Sequence, residues 1–383
     1  MLKAFKTEIK PTYEQKQQIH RTCGVCRYLY NLFIATNKQR HEQGLPFMNA
    51  NEFDKWVNNV HSLELPWIKD VSSKARKKAI VNAETAYKRF FKGVSGFPRF
   101  KKKRDQDIGF YAPKNNSGDW TAERHRVKIP TLGWVCLKEF GYLPVSAKVT
   151  GGTVTQKTDR YYVSVTVVQG KIIPEPPSGS GIGIDLGLKE FAVVSNGESF
   201  PNINKTSAIR RTEKRLKRQQ RSLSRKYESK KKGGVSAAGT YRNIAKNVLR
   251  VQKLQARLAR MRDAYRACVV SALAKTKPAY ITIEKLNVKG MMKNRHLSKA
   301  IADQGLFDFK IKLQNACKKI GAELREVAAF YPSSKLCSCC GNKKERLLLS
   351  ERIYVCENCG KSIDRDLNAA INLMQATEYA VLT

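Results

Sequence analysis

Four cysteines near the C-terminus, Cys337, Cys340, Cys356 and Cys359, fall in the pattern Cys-x2-Cys-x15-Cys-x2-Cys. Each pair brackets a short turn that lets two thiolates reach one ion, and two such pairs complete a tetrahedral shell. The spacing predicts a zinc ribbon. Its Zn2+ is expected to be structural, because four thiolates leave no coordination position for water or substrate. The intervening GNKKERLLLSERIYV has the length of a β-hairpin. Cys339, at the wrong spacing, reads as a small side chain in the knuckle. Cys23 and Cys26 have no second pair nearby. With Ile19, Tyr30 and Phe33 they recur at helical intervals, so a buried helix face is expected.

Acids follow the second cysteine pair at once: Asp364 and Asp366 lie in YVCENCGKSIDRDLNAAINL. They need a reason in a chain with 72 Lys and Arg against 32 Asp and Glu, a net charge of +40. A surplus this large exceeds what solubility asks for and points to a polyanion, above all nucleic acid. No membrane association is expected, because no segment approaches the ~18 consecutive apolar residues of a spanning helix. The start, MLKAFKTEIKP, lacks the apolar core of a signal peptide. A cytoplasmic location is expected, with thiols serving as metal ligands or core residues and not as disulfides.

The chain changes texture several times. LKAFKTEI alternates as a strand, and Thr12 and Gln15 have the capping-box spacing that opens a helix. Helical pattern continues to Gly93; short β-like runs (HRVKIP, WVCLKEF, AKVTGGTVTQ, RYYVSVTVV) then suggest a small barrel or sandwich. IIPEPPSGSG, at 172–181, is the clearest linker. GIGIDLGLKEFAVVSNGESF reads as two strands joined by a tight turn. Residues 205–275 read as basic helices, interrupted at SKKKGGVSAAG. PAYITIEKL is a buried-type strand, and FDFKIKLQNACKKIGAELREV an amphipathic helix with a strand-like end.

Three carboxylates stand where elements end. Asp185 closes Gly-Ile-Gly-Ile, whose glycines leave room around it, and Glu284 closes AYITI. Asp366 opens DLNAAINLMQ, where the helix macrodipole favours a negative charge. Singly, each is what a strand end or helix cap commonly carries. Together, two strand-borne acids and one helix-borne acid can converge on Mg2+, which prefers carboxylate and water oxygens. Two such ions, ~3.5–4 Å apart, serve phosphodiester cleavage.

Taken in order, ETAYKRFFKG…GFPRFKKK, GIGIDLGLKEFAVV, ITIEKLNVKGM, YPSSKLCSCCG, YVCENCG and DRDLNAAINL resemble the TnpB family. These are RNA-guided nucleases encoded by bacterial insertion sequences and related to type V CRISPR effectors. The resemblance runs from about residue 80 to 375 and implies a multidomain α+β protein. Residues 180–330 and 362–383 would form a RuvC-like, RNase H-like α/β nuclease core, with 205–275 its basic helical segment and 331–361 a zinc-ribbon insertion. Residues 1–10 and 96–175 would form a wedge-like β-barrel, interrupted by a helical recognition domain at 11–95. The family's catalytic, magnesium-binding acids fall on Asp185, Glu284 and Asp366; Asp364 is the rival, but the acid directly before x-Asn-Ala-Ala matches the motif. The implied activity is cleavage of double-stranded target DNA next to a short flanking motif. It would be directed by a guide RNA from the element's end, in a bacterial cytoplasm, with a monomeric protein.

Arg99, Lys101, Lys102 and Lys103 are candidate phosphate contacts in GFPRFKKK; the alternative there is a charged surface loop. Two further readings of the whole chain compete. One is a guide-dependent regulator without nuclease activity, a class whose members lose core acids that are present here. The other is a plain nucleic-acid-binding zinc protein. A DNA-joining transposase has no support beyond the shared nuclease core.

Overall fold

Thr12 and Gln15 open the first helix as their spacing predicts: the Thr12 hydroxyl accepts from the Gln15 N–H, and the Gln15 side chain accepts from the Thr12 N–H. This reciprocal cap separates strand β1 (Leu2–Lys10) from helix α1 (Tyr13–Glu42). The computed structural model describes residues 2–102, 108–116, 118–145, 147–170, 174, 176–231, 237–348 and 350–382, with only the backbone at 237–240. The chain divides into two units, Met1–Lys171 and Ile172–Thr383.

In the first unit, α1 is followed by α2 (Ala50–Trp56), α3 (Ser62–Glu64) and α4 (Ser73–Phe91). Six strands come next: β2 (Ile108–Pro113), β3 (Thr121–Ala122), β4 (Arg126–Ile129), β5 (Gly133–Leu137), β6 (Lys148–Lys157) and β7 (Arg160–Val168). All seven strands share one antiparallel sheet in the order β2-β6-β7-β1-β5-β4-β3, so the helices lie between two strands of the same sheet. Its core joins Phe110, Trp120, Val135, Val154 and Val163 to Cys23 and Cys26 of α1. The two thiols therefore occupy a buried helix face, and desolvation pushes both up to about 12. The expected barrel is not closed among the described residues: β2 pairs with β6 alone and β3 with β4 alone. Two-residue β3 offers too short a ladder to seal against β2.

The second unit contains β8 (Ile182–Leu186), β9 (Glu190–Val194), β10 (Ser199–Pro201), α5 (Ser207–Lys231), α6 (Ala237–Lys275) and β11 (Tyr280–Glu284). After these come α7 (Val288–Met291), α8 (Ser298–Gln304), α9 (Leu306–Ile320), β12 (Glu323–Val327), β13 (Ile353–Val355), β14 (Ser362–Asp364), α10 (Arg365–Met374) and β15 (Ala380–Val381). Six strands form a sheet in the order β10-β9-β8-β11-β12-β15. Within it β8, β11 and β12 run parallel, while β9, β10 and β15 are antiparallel to their neighbours. Parallel neighbours need long crossovers, here supplied by the α5–α6 pair and by α9. Ile182, Ile184, Ile281, Ile283 and Leu324 pack on Val269, Val270 and Leu273 of α6 and on Phe309 and Leu313 of α9. Residues alternate across a strand, so Gly183 and Asp185 face the other way, toward α10. Along α6, Ile244, Val251 and Leu258 are buried, whereas Arg211, Lys214, Arg215, Lys217 and Arg218 of α5 stay exposed.

Candidate metal centres

Asp185 stands one residue before the end of β8 and Glu284 ends β11, its parallel neighbour. Ile283 of β11 is in register with Ile184 of β8, so Glu284 and Asp185 each take the next position on the same sheet face. Asp185 is also in register with Val193 of β9. The glycines before Asp185 serve a different purpose from the one the sequence suggests. A Cβ on Gly181 would lie 1.9 Å from the Tyr280 ring, and one on Gly183 would lie 2.0 Å from the Ala370 carbonyl oxygen. The glycines thus admit a ring and the backbone of α10, and this close approach sets the start of α10 near the end of β8.

The two acids at that helix start do different things. Asp364 is the N-cap, accepting from the N–H of Asp366 at 2.9 Å and of Leu367 at 3.0 Å. The Asp366 carboxylate instead lines a pocket of about 240 Å³ together with Asp185, Lys189, Glu190, Arg352 and Arg365. Arg365 meets it at 3.2 Å, and Arg352 approaches to 4.0 Å. Asp185 also lines this pocket and is only partly exposed. Burial pushes its carboxyl up to about 7, helped by the negative charges of Asp366 and Glu284 and opposed by Arg365. Burial also raises Glu284, which does not line the pocket. The structure therefore brings Asp185 and Asp366 to one cavity, with Glu284 on the adjacent strand. The two arginines went unnoticed in the sequence, although Arg365 sits between the aspartates of the DRD triplet.

At the other centre the four sulfurs of Cys337, Cys340, Cys356 and Cys359 all lie within 4.8 Å of one another. The Cys337–Cys359 and Cys340–Cys356 sulfurs are each 3.6 Å apart. A tetrahedral zinc with Zn–S of ~2.3 Å places its sulfurs ~3.8 Å apart, so the donor set fits the ion in type, number and spacing. Each knuckle closes identically. The Gly341 N–H donates to the Cys337 carbonyl at 2.9 Å and that of Gly360 to the Cys356 carbonyl at 3.0 Å. These glycines have φ of 72° and 70°, the left-handed region that a side chain disfavours. A backbone N–H from Asn342 holds the Cys340 thiol down, to about 6. Cys339 is exposed and outside the group. The ribbon's hairpin is displaced from its expected place: β13 and β14 flank the second knuckle and do not fill the stretch between the cysteine pairs. Among the described residues no three acids meet the 4.8 Å spacing of the thiols. A site for two ions ~3.5–4 Å apart does not need them to.

The basic candidates lie in the first unit. Arg99 is exposed. Lys101 is pinned to α1 through Asn31, and its ammonium lies 4.0 Å over the Tyr30 ring. Lys101 and Lys102 line a pocket of about 420 Å³ with Arg27, Lys78, Asn82 and Tyr111. Lys103 lies outside the described residues.

Comparison with known proteins completes the description. Residues 307–373 match the family described as "Cas12f1-like, TNB domain", and 161–295 match "Probable transposase". Residues 1–45 match "Helix-turn-helix domain", although here Leu2–Lys10 form β1 and Tyr13–Glu42 one uninterrupted helix. The chain is 30% identical over 397 residues to the "Putative RNA-guided DNA endonuclease InsQ" of Escherichia coli (strain K12), covering 100% of this chain and 93% of that protein. A "Putative RNA-guided DNA endonuclease" of Streptomyces pristinaespiralis is 28% identical, with 98% and 89% covered. Among solved structures, the Cas12f1 chain of a Cas12f1–sgRNA–target DNA complex superposes with a TM-score of 0.56 at 14% identity, with 99% of both chains covered, a likeness of fold.

Proposed function

The chain belongs to the TnpB family of insertion-sequence proteins, and from that premise we propose that it is an RNA-guided, metal-dependent DNA endonuclease. Its partners would be a guide RNA from the element's end and double-stranded target DNA beside a short flanking motif. The strand order of the second unit, third-second-first-fourth-fifth with the first, fourth and fifth parallel, supports an RNase H-like core of the RuvC type.

The observation that carries the reading is Asp185. Its carboxyl is enclosed beside two further acids and held up to about 7, although the chain as a whole is strongly basic. Gathered carboxylates of this kind suit a divalent cation, which offsets their mutual repulsion. Asp185, Asp366 and Glu284 would hold Mg2+ between the ends of β8 and β11 and the start of α10. Bound there, two magnesium ions would supply an activated water and charge for the leaving oxygen. Asp185 must ionise to bind, so its proton leaves as the site fills. Arg365 and Arg352 face the same cavity and would meet a phosphate oxygen by charge-assisted hydrogen bonds. The exposed cations of α5, and Arg99, Lys101 and Lys102 in the first unit, would follow nucleic-acid backbone without reading sequence. The four thiols would hold a structural Zn2+. Among the described residues no helix is long and apolar enough to cross a membrane.

The test is Asp185→Ala, assayed with guide RNA, flanked target and Mg2+. Cleavage should vanish while guide-RNA binding persists. Undiminished cleavage by that variant would sink the assignment.

A further inference from the structure

Helix α10 carries two carboxamides for which the reading above has no use. Asn368 is completely buried and Asn372 is 5% exposed. The Asn368 Oδ1 accepts from the Ser338 N–H at 3.0 Å, and its Nδ2 donates to the Leu336 carbonyl at 2.6 Å. Leu336 and Ser338 are the residues on either side of the zinc-site ligand Cys337. One turn later the Asn372 Nδ2 donates to the carbonyls of Ser333 and Leu336, both at 2.7 Å. The Tyr331 hydroxyl returns a hydrogen bond to the Asn372 carbonyl at 3.4 Å. The first knuckle is thereby clasped to α10 through backbone groups that zinc itself would fix.

The other side of the same helix rests on the sheet. Asn368 and Asn372, four positions apart, share one face, and Asp366 stands two positions, ~200°, away from Asn368. Ala370 and Met374, whose backbone atoms touch Gly183, follow Asp366 at steps of four. The helix is therefore gripped by the ribbon on one face and by β8 on the other, with Asp366 in its first turn.

We propose that Asn368 and Asn372 are positioning residues that couple the thiolate knuckle to the placement of Asp366, so that each metal site strengthens the other. The coupling rests on the reading of Asp185, Glu284 and Asp366 as a divalent-cation site. An ion across the thiols fixes residues 336–338 and, through the carboxamides, the first turn of α10. A cation across Asp185 and Asp366 fixes that turn from the opposite side and must, by linkage, hold zinc more tightly by the same factor. Outer-shell hydrogen bonds of this kind typically govern about 10–100-fold in metal affinity.

The experiment follows zinc transfer from the full chain to a chromogenic chelator, with and without saturating Mg2+, which does not compete for thiolates. In the unmodified protein Mg2+ should lower zinc transfer about tenfold. In Asn368→Ala one zinc per chain should remain, and the Mg2+ effect should fall below about twofold. Should that variant not fold, Asn372→Ser leaves the Asn368 bonds in place and should show an intermediate effect. A Mg2+ effect of undiminished size in either variant overturns the coupling, as does its absence from the unmodified protein. Direct Mn2+ binding, followed by its spin-resonance signal in the unmodified chain and in Asp185→Ala, separates the two ideas. If Asp185→Ala loses the bound Mn2+ while zinc transfer ignores Mg2+, the carboxylate site stands and the coupling falls. If Mn2+ binding is indifferent to Asp185, the carboxylate reading fails first and takes the coupling with it.

Discussion

At the thiolate site each cysteine pair brackets a single turn, and a left-handed glycine directly after the second cysteine closes each knuckle. The three acids proposed as a second centre, Asp185, Glu284 and Asp366, come from three different elements, each at or one residue from its end. The first centre is assembled by local chain geometry, two knuckles joined by the short stretch 341–355. The second grouping depends on a parallel sheet that registers β8 with β11 and on a glycine that lets α10 lie close against β8. Their electrostatics differ too. A backbone N–H from Asn342 helps ionise Cys340, whereas burial and like charge push the Asp185 carboxyl up to about 7. A locally built site belongs to its loop; a site built by topology fails when the distant packing fails.

Substitution at the two centres should therefore break different things. Glu284→Gln keeps shape and removes charge, and should cut cleavage by roughly 10²–10³-fold or more with little change in melting temperature. Cys337→Ser should do the reverse. It should release the bound metal and destabilise residues 331–361 by roughly 3 kcal/mol or more, seen as lost zinc stoichiometry and new protease cuts there. Cys339→Ser, outside the group, should leave zinc content unchanged.

Gly183→Ala probes the topology directly. Its Cβ would overlap the backbone of Ala370 and Met374, neither of which can swing aside like a side chain. A loss of about 2–3 kcal/mol is expected from forcing α10 off the strand, together with a cleavage defect, though no ligand has been touched. A Gly183→Ala protein of normal stability would show that helix and strand are less tightly joined than the structure has them.

The pH dependence has a definite sign. A carboxyl raised in the folded state contributes stability below its unfolded value, near 4, and loses it as pH rises through about 7. Metal-free protein should accordingly lose stability between about pH 4 and 7 from this group, and Asp185→Asn should remove that loss. The gain at pH 8, read from urea unfolding without divalent ions, should be roughly 1–3 kcal/mol. Added Mg2+ should stabilise the unmodified chain and not the variant. At limiting Mg2+, cleavage should rise with pH through the same range.

The sequence exposed these features unequally, for physical reasons. The grouping of the four cysteines was legible because a knuckle needs its cysteines at fixed spacing. The apolar runs of β8 and β11 were legible because buried parallel strands leave little room for polar residues, and each acid marks where the burial stops. Nothing local announces that Gly183 accommodates the distant helix α10, so its role beside Asp185 was misassigned. The barrel expected of the first unit depended on closure between β2 and β3, a long-range pairing that no single segment encodes. Asn368 and Asn372 looked like ordinary polar helix residues, since burial by a distant segment leaves no periodic trace.

The smallest expected effect bears on the two aspartates of DRD, which composition cannot tell apart. Asp364 accepts two N–H groups at the open end of α10, so Asp364→Ala should cost about 1 kcal/mol as a lost N-cap. Its cleavage rate should fall only as far as fraying of the first turn moves Asp366. Asp364→Ser or Asp364→Asn, which can still cap, should recover most of both losses. Asp366→Ala has no cap to lose and should change stability little, yet cleavage should disappear. The two rescues discriminate sharply, because a capping role tolerates any short polar side chain while a cation ligand requires the carboxylate. If Asp364→Asn lost cleavage and Asp366→Asn kept it, the two aspartates would exchange roles. The pocket beside Asp185 would then need a rearranged α10 to account for the chemistry.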